Sequence, residues 1–375
     1  MRRPEHPARR APMDDPRILL IRPDHLGDVL LTLPATAALK RSLPRAHLTY
    51  LVAEGLERLT DRSPDVDETI SLPFPPPHAP TERAEGELSD AAALTLRDRF
   101  DVAVLLRPGD RWSGSLVRAA RVPVRVGFEH DGMDRFLTDT VPETPNRHAV
   151  WLAHDVMTMA LASLNGEIAS MNAPSIPSLT DRVFVPSRED HTEAEEAIAR
   201  VKSKTGTRPV ILHPGTGWQL KNWPSERWGA LASHLHRRFG FAPIVTGGAG
   251  ERELVEQVVL QSGRSAVGMP PLSLGGFAAL LAEAALVVAS DSGPLHLAAM
   301  LGTAVVGLYG PGNPALAAPW CQPENQRIVR VDLPCSPCGV MHDPPCGALR
   351  HPACVAGVGV ETVAEAIESL RAGVP

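Results

Sequence analysis

Seven consecutive positions, Ser290-Asp291-Ser292-Gly293-Pro294-Leu295-His296, bring together a carboxylate, two hydroxyls, an imidazole and a glycine. They follow the β-branched apolar run Leu286-Val287-Val288-Ala289 and precede an apolar stretch from Leu295 to Leu301. The pattern is strand, tight turn, helix, with a further strand from Ala304 to Leu308. A turn of this kind sits at the carboxyl end of a parallel strand, where open α/β sheets bind ligands. Backbone N–H groups at the start of the helix favour a phosphate there. Pro294 suits the first helical turn, where no N–H is needed. The plainer alternative is an ordinary helix start capped by Asp291 or Ser292, with His296 packed in the core.

Two other turns carry similar chemistry. His213-Pro214-Gly215-Thr216-Gly217 ends an apolar run and leads to Lys221, one of only four lysines. A glycine-rich loop with a hydroxyl and a lysine can hold phosphate oxygens, although the spacing is not that of a Walker motif. Thr246-Gly247-Gly248-Ala249-Gly250-Glu251 follows the next strand, and its Glu251 can take ribose hydroxyls or favour a first helical turn. Near the amino terminus, Asp28 follows Gly27 at a helix start, where it serves either as a cap or as a general base. Arg107, Arg111, Arg118, Arg125 and Arg135 crowd one region and read either as acceptor contacts or as a solvated face. Cys335, Cys338, Cys346 and Cys354, with gaps of two, seven and seven residues, suit either a structural zinc site or free thiols in a Pro-rich loop.

Asp24-His25-Leu26-Gly27-Asp28-Val29 with Thr32-Leu33-Pro34-Ala35, His213-Pro214-Gly215 with Lys221-Asn222-Trp223-Pro224, and Asp291 to His296 with Tyr309-Gly310-Pro311 occur in this order. In that combination the chain resembles glycosyltransferase family 9, the bacterial ADP-heptose glycosyltransferases, over about residues 17 to 370. The resemblance implies a GT-B enzyme with an acceptor domain followed by a sugar-nucleotide domain. It implies that Asp28 is the catalytic base and that Lys221 contacts the donor phosphates. Thr216, Gly217, Glu251, Asp291, Ser292, Gly293 and His296 become donor contacts, and Arg22, His25, Arg107, Arg111 and Arg125 become candidate acceptor contacts. It further implies inverting transfer of a heptose from ADP-heptose to a glycan such as the lipopolysaccharide inner core, with no cofactor and no metal at the reaction centre. The alternatives are another nucleotide-sugar with a small-molecule acceptor, or a non-catalytic sugar-nucleotide-binding protein.

These residues need a scaffold that presents strand ends. Runs at Arg17–Arg22, His47–Ala53, Asp101–Leu106 and Val122–Phe128 predict strands in the first half, alternating with helices up to His148–Leu164. Pro209–Leu212, Pro243–Thr246, Leu286–Ala289 and Ala304–Leu308 do the same in the second half. The reading is α/β: two Rossmann-like, doubly wound parallel-sheet domains facing across a cleft. The expected division is a disordered tail 1–16, an acceptor domain 17–165, a linker 166–185, a nucleotide-sugar domain 186–358, and a final helix in 359–375 that packs back on the first domain. No internal repeat is evident.

A formal net charge of −6 and scarce aromatics argue against nucleic-acid binding. No apolar stretch is long enough to span a membrane, and the Arg- and Pro-rich start lacks the apolar core of a signal peptide. A cytoplasmic monomer with at most peripheral membrane contact is expected.

Overall fold

The computed structural model describes residues 15–23, 25–74, 87–165, 179, 182–201, 208–240 and 242–371. Asp24, the tail up to residue 14, the Pro-rich segment 75–86 and most of the expected linker lie outside the described residues. The chain divides into two compact units, residues 1–177 and 178–375.

The first unit holds β1 (Arg17–Ile21), β2 (His47–Ala53), β3 (Glu68–Leu72), β4 (Val102–Leu105), β5 (Val124–Phe128) and β6 (Asp139–Val141). All pairs are parallel, in the order β3-β2-β1-β4-β5-β6. The second unit holds β7 (Val210–His213), β8 (Ile244–Val245), β9 (Val267–Gly268), β10 (Leu286–Ser290), β11 (Val305–Leu308) and β12 (Gln326–Val329). Its parallel order, β12-β11-β10-β7-β8-β9, is the same doubly wound scheme read from the other edge. The halves thus repeat in topology where no repeat is visible in sequence. In each sheet the chain order reverses between two neighbouring strands, β1 and β4 in one and β7 and β10 in the other. Ligands bind at the carboxyl ends of such strand pairs.

The central strands are buried on both faces, which explains their uninterrupted apolar runs. Ile18 to Ile21 and Val287 to Ala289 are fully buried. Helix Ser225–Phe239 begins after Pro224 and stops at Gly240, whose φ of 75° is the left-handed conformation that ends a helix without strain. The first helical stretch is broken as its proline requires. Helix Leu26–Leu30 ends, and a new helix, Leu33–Ser42, starts with Pro34 in its first turn.

Helix Val360–Arg371 places Val363, Ala364, Ile367 and Leu370 in the core of its own unit, with Trp223, Trp228 and Leu231. Trp223 and Trp228 meet edge to face at 5.1 Å, and the Trp223 indole N–H donates to Val358 O at 3.1 Å, tying the chain before this helix to the turn after β7. Among the described residues, no helix is long and apolar enough to cross a membrane.

Candidate active site

In the first unit the switch point is bridged by an arginine. Arg22 follows β1, and its Nη1 donates to the carbonyl of Leu106, just beyond β4. Its Nη2 donates to Asp28 Oδ1 at 3.0 Å. The arginine is mostly buried, with its side chain 15 % exposed, whereas Asp28 is 39 % exposed. Asp28 lies in the first turn of helix Leu26–Leu30, six residues after Arg22. The guanidinium therefore holds one carboxylate oxygen and leaves the group open to a ligand. His25 precedes the same helix and is exposed. Arg107 and Arg111 also follow β4, on the ligand-binding edge of the sheet, and Arg111 Nη2 donates to Asp131 O at 3.1 Å.

Arg125 does not join them. It lies within β5, and its guanidinium donates to the Phe136 and Val122 carbonyls at 2.5 and 2.7 Å. The strand carries it away from the carboxyl edge, so it braces the loop leading to β6.

In the second unit the bridge is an ion pair. Lys221 closes the 3-10 turn Gln219–Lys221 in the loop after β7, and Asp291 follows β10. Lys221 Nζ lies 2.7 Å from Asp291 Oδ2, with side chains 17 % and 8 % exposed. Asp291 is fixed from behind. Its N–H donates to Leu308 O at 2.9 Å, and a side chain at Gly312 would run into its carboxylate. Ser292 is the residue before helix Gly293–Met300, with its hydroxyl donating back to Ser290 O at 2.9 Å. This orientation leaves the first turn of the helix without a side-chain cap, as a phosphate site requires. His296 is buried within that helix.

Thr216 shapes the lysine loop. Its Oγ1 lies 2.7 Å from Asn222 Oδ1 and 2.6 Å from Trp218 O, and it accepts the Trp218 N–H at 3.1 Å. Gly217 is exposed. Glu251 sits over the same region. Its carboxylate accepts the Gly248 N–H at 2.8 Å and lies 3.8 Å from His213 Nε2. A side chain at Gly215 would collide with it. At glycines 215 and 312 the protein's own carboxylates thus approach the backbone closely, and a side chain there would make them shift. Burial lowers the His213 imidazole to about 4, so this residue is neutral near pH 7, and its Nδ1 shares a hydrogen bond with Thr246 Oγ1 at 3.0 Å. Tyr309, whose hydroxyl donates to Ala317 O at 2.9 Å, is held far above the ordinary tyrosine range by burial and by the Asp291 charge. Gly312 and Asn222 carry no chemical signal of their own in sequence, and only the fold reveals their part in placing Asp291 and Thr216.

The four cysteines of the 335–354 segment are free thiols that line one apolar void of about 20 Å³ with Leu220 and Pro311. Burial, then the neighbouring cysteines, raises the Cys354 thiol above its usual range. Among the described residues no three His, Cys, Asp or Glu side chains are arranged to hold a metal ion. The two seven-residue gaps supply no second close pair. The segment acts as a brace between the two ligand loops. The Gly339 N–H donates to Pro311 O at 2.9 Å and Ser336 Oγ to Gly310 O at 2.8 Å, while His351 Nδ1 meets Asn222 O at 2.7 Å.

The family model of glycosyltransferase family 9 (heptosyltransferase) matches residues 91–346. Lipopolysaccharide heptosyltransferase 1 of Pseudomonas aeruginosa is 28 % identical over 333 residues, which span 86 % of each protein. Among solved structures, Escherichia coli ADP-heptose lps heptosyltransferase II aligns with a TM-score of 0.70 at 20 % identity, over 95 % of this chain and 99 % of that one. E. coli heptosyltransferase WaaC with ADP-2-deoxy-2-fluoro heptose aligns with a TM-score of 0.65 at 21 % identity, over 94 % and 99 %. Two Rossmann-like parallel-sheet domains in one chain are the GT-B fold type that the sequence predicts.

Proposed function

The chain belongs to glycosyltransferase family 9, and from that premise we propose that it transfers a heptose from ADP-heptose to a hydroxyl of the lipopolysaccharide inner core, with inversion and without a metal ion at the reaction centre. The observation that carries the reading is the Lys221–Asp291 pair, which spans the switch point beside the open first turn of helix Gly293–Met300. A cation and free helix N–H groups at one strand edge are what a departing diphosphate needs. The relatives' names supply the sugar and the acceptor.

In this mechanism Asp28 takes the proton of the acceptor hydroxyl as its oxygen attacks the anomeric carbon. Arg22 holds Asp28 correctly turned through its hydrogen bond to Oδ1. The C–O bond to the diphosphate breaks on the opposite face, and Lys221 with the N–H groups at Ser292 and Gly293 takes up the developing charge. Glu251 engages the ribose, while Thr216, Gly217 and His296 complete the donor site. Arg107 and Arg111 meet anionic groups of the acceptor. The enzyme acts as a cytoplasmic monomer with at most peripheral contact to the membrane.

A donor screen that reads nucleotide release tests this. ADP-heptose is expected to be turned over in the presence of core acceptor, with ADP-glucose, UDP-sugars and GDP-sugars far behind. Turnover of UDP- or GDP-sugars alone overturns the donor assignment.

A further inference from the structure

Beside the Lys221 turn lies a cavity of about 440 Å³ walled by Trp218, Gln219, Met341, His342, Asp343 and Leu349. We propose that it is a saccharide subsite that grips an uncharged sugar ring of the acceptor, and thus that the nucleotide-sugar unit itself contributes to acceptor recognition. The proposal rests on the glycosyltransferase reading above.

The chemistry of the walls selects the ligand. An aromatic platform with a few convergent polar groups is how proteins hold sugar rings, whose C–H faces are apolar and whose edges are hydroxyls. Trp218 and His342 meet edge to face at 4.7 Å, so each ring fixes the other. The Trp218 backbone is pinned on both sides by the Thr216 hydroxyl. The Gln219 Oε1 accepts from Arg350 Nε at 3.3 Å, which commits its amide oxygen and leaves its NH₂ as a donor to ligand hydroxyls. Asp343 adds a carboxylate acceptor. Leu349, 84 % exposed, gives the mouth an apolar lip that a bound ring would cover.

The lining itself offers a diphosphate no lysine or arginine, and the neighbouring Arg350 donates to Gln219. Asp343 is the acidic wall of the cavity. Lys221, one residue beyond the lining Leu220, carries its ammonium to Asp291 instead. The 3-10 turn Gln219–Lys221 therefore separates a cationic position for phosphate from a neutral-to-acidic one for hydroxyls. The void beneath the second wall, lined by all four cysteines of the 335–354 segment, shares Leu220 and Pro344 with the cavity, so the brace that holds the ligand loops also builds this wall.

The test is calorimetric titration of the full chain with lipid-free lipopolysaccharide core oligosaccharide, and separately with ADP. Trp218→Ala and Asp343→Asn are each expected to weaken oligosaccharide binding about tenfold, the scale of a central contact residue, while ADP binding changes less than twofold. Asparagine tolerates the left-handed backbone at residue 343, where φ is 45°. Trp218→Phe, which keeps a platform, is expected to recover most of the loss. Unchanged oligosaccharide binding in both variants, or a parallel loss of ADP affinity, overturns the proposal. A wild-type chain that binds the oligosaccharide but releases no ADP from ADP-heptose would instead overturn the donor reading and leave the subsite standing.

Discussion

The two switch points are built on one strand scheme with opposite polarity. In the first unit the cation is inside and the carboxylate outside, with Arg22 15 % and Asp28 39 % exposed. In the second the carboxylate is the inner partner, with Asp291 8 % and Lys221 17 % exposed. In each pair the inner group can orient the outer one, which is the more open to a ligand. An outward carboxylate suits proton removal from a hydroxyl, and an outward ammonium suits a phosphate. On the proposed function, the same fold yields a basic tool in one unit and an electrophilic tool in the other, by exchanging which member of an ion pair is the more buried.

Removing the outer member should be the sharpest way to separate the two. Asp28→Asn keeps the shape and the contact with Arg22 but abolishes the base. Transfer is expected to fall by ~10³-fold, with ADP affinity in titration unchanged. Lys221→Gln is expected to lower turnover by about 10²-fold and to weaken ADP binding as well. If Asp28→Asn weakened ADP binding as strongly as Lys221→Gln does, the division of labour would be wrong.

Moving an inner member without removing it should cost less. Gly312→Ala forces the Asp291 carboxylate to shift, because the new methyl would occupy its place. Turnover is expected to drop about tenfold, since small misplacements near a reacting centre are costly, with the far-ultraviolet circular dichroism spectrum retained. Full activity in this variant would mean that Asp291 has room to move.

The smallest effect concerns His213, which sits behind Glu251. Its folded value of about 4 lies below the unfolded value of 6.5, so unfolding takes up a proton between those pH values. Stability is therefore expected to decline as pH falls from about 6.5 toward 4, by at most ~3 kcal/mol from this group. Denaturant titrations at pH 7 and pH 5 should show the decline, and His213→Asn should lessen it. An equal decline in the variant would assign the effect to other groups.

Much of this was legible in the sequence, and the gaps have a common cause. The buried central strands β1, β2, β4, β7, β10 and β11 announce themselves as apolar runs, and the three glycine-bearing turns follow from them. The strands that sequence reading passes over, β3, β6, β9 and β12, are the outermost of each sheet. Being partly exposed, they carry mixed segments such as Glu-Thr-Ile-Ser-Leu and Gln-Arg-Ile-Val. Helix Arg188–Val201 is missed for a similar reason, since charged residues dominate it and its buried face rests on Asp190, Ala194 and Ala197. At the site, Asp28, Lys221, Glu251 and Asp291 stand out in the sequence as candidates by type and place. Their partners are not, because Arg22 reaching Leu106 and Gly312 reaching Asp291 depend on chain separations that only the folded sheets close.

The lysine at the second switch point is held by a carboxylate of its own unit, 2.7 Å away. On the proposed function, that carboxylate offsets part of the ammonium's attraction for a spent diphosphate. The product is then held less tightly than a lone lysine would hold it, so the group that aims the lysine also eases the release on which each new cycle depends.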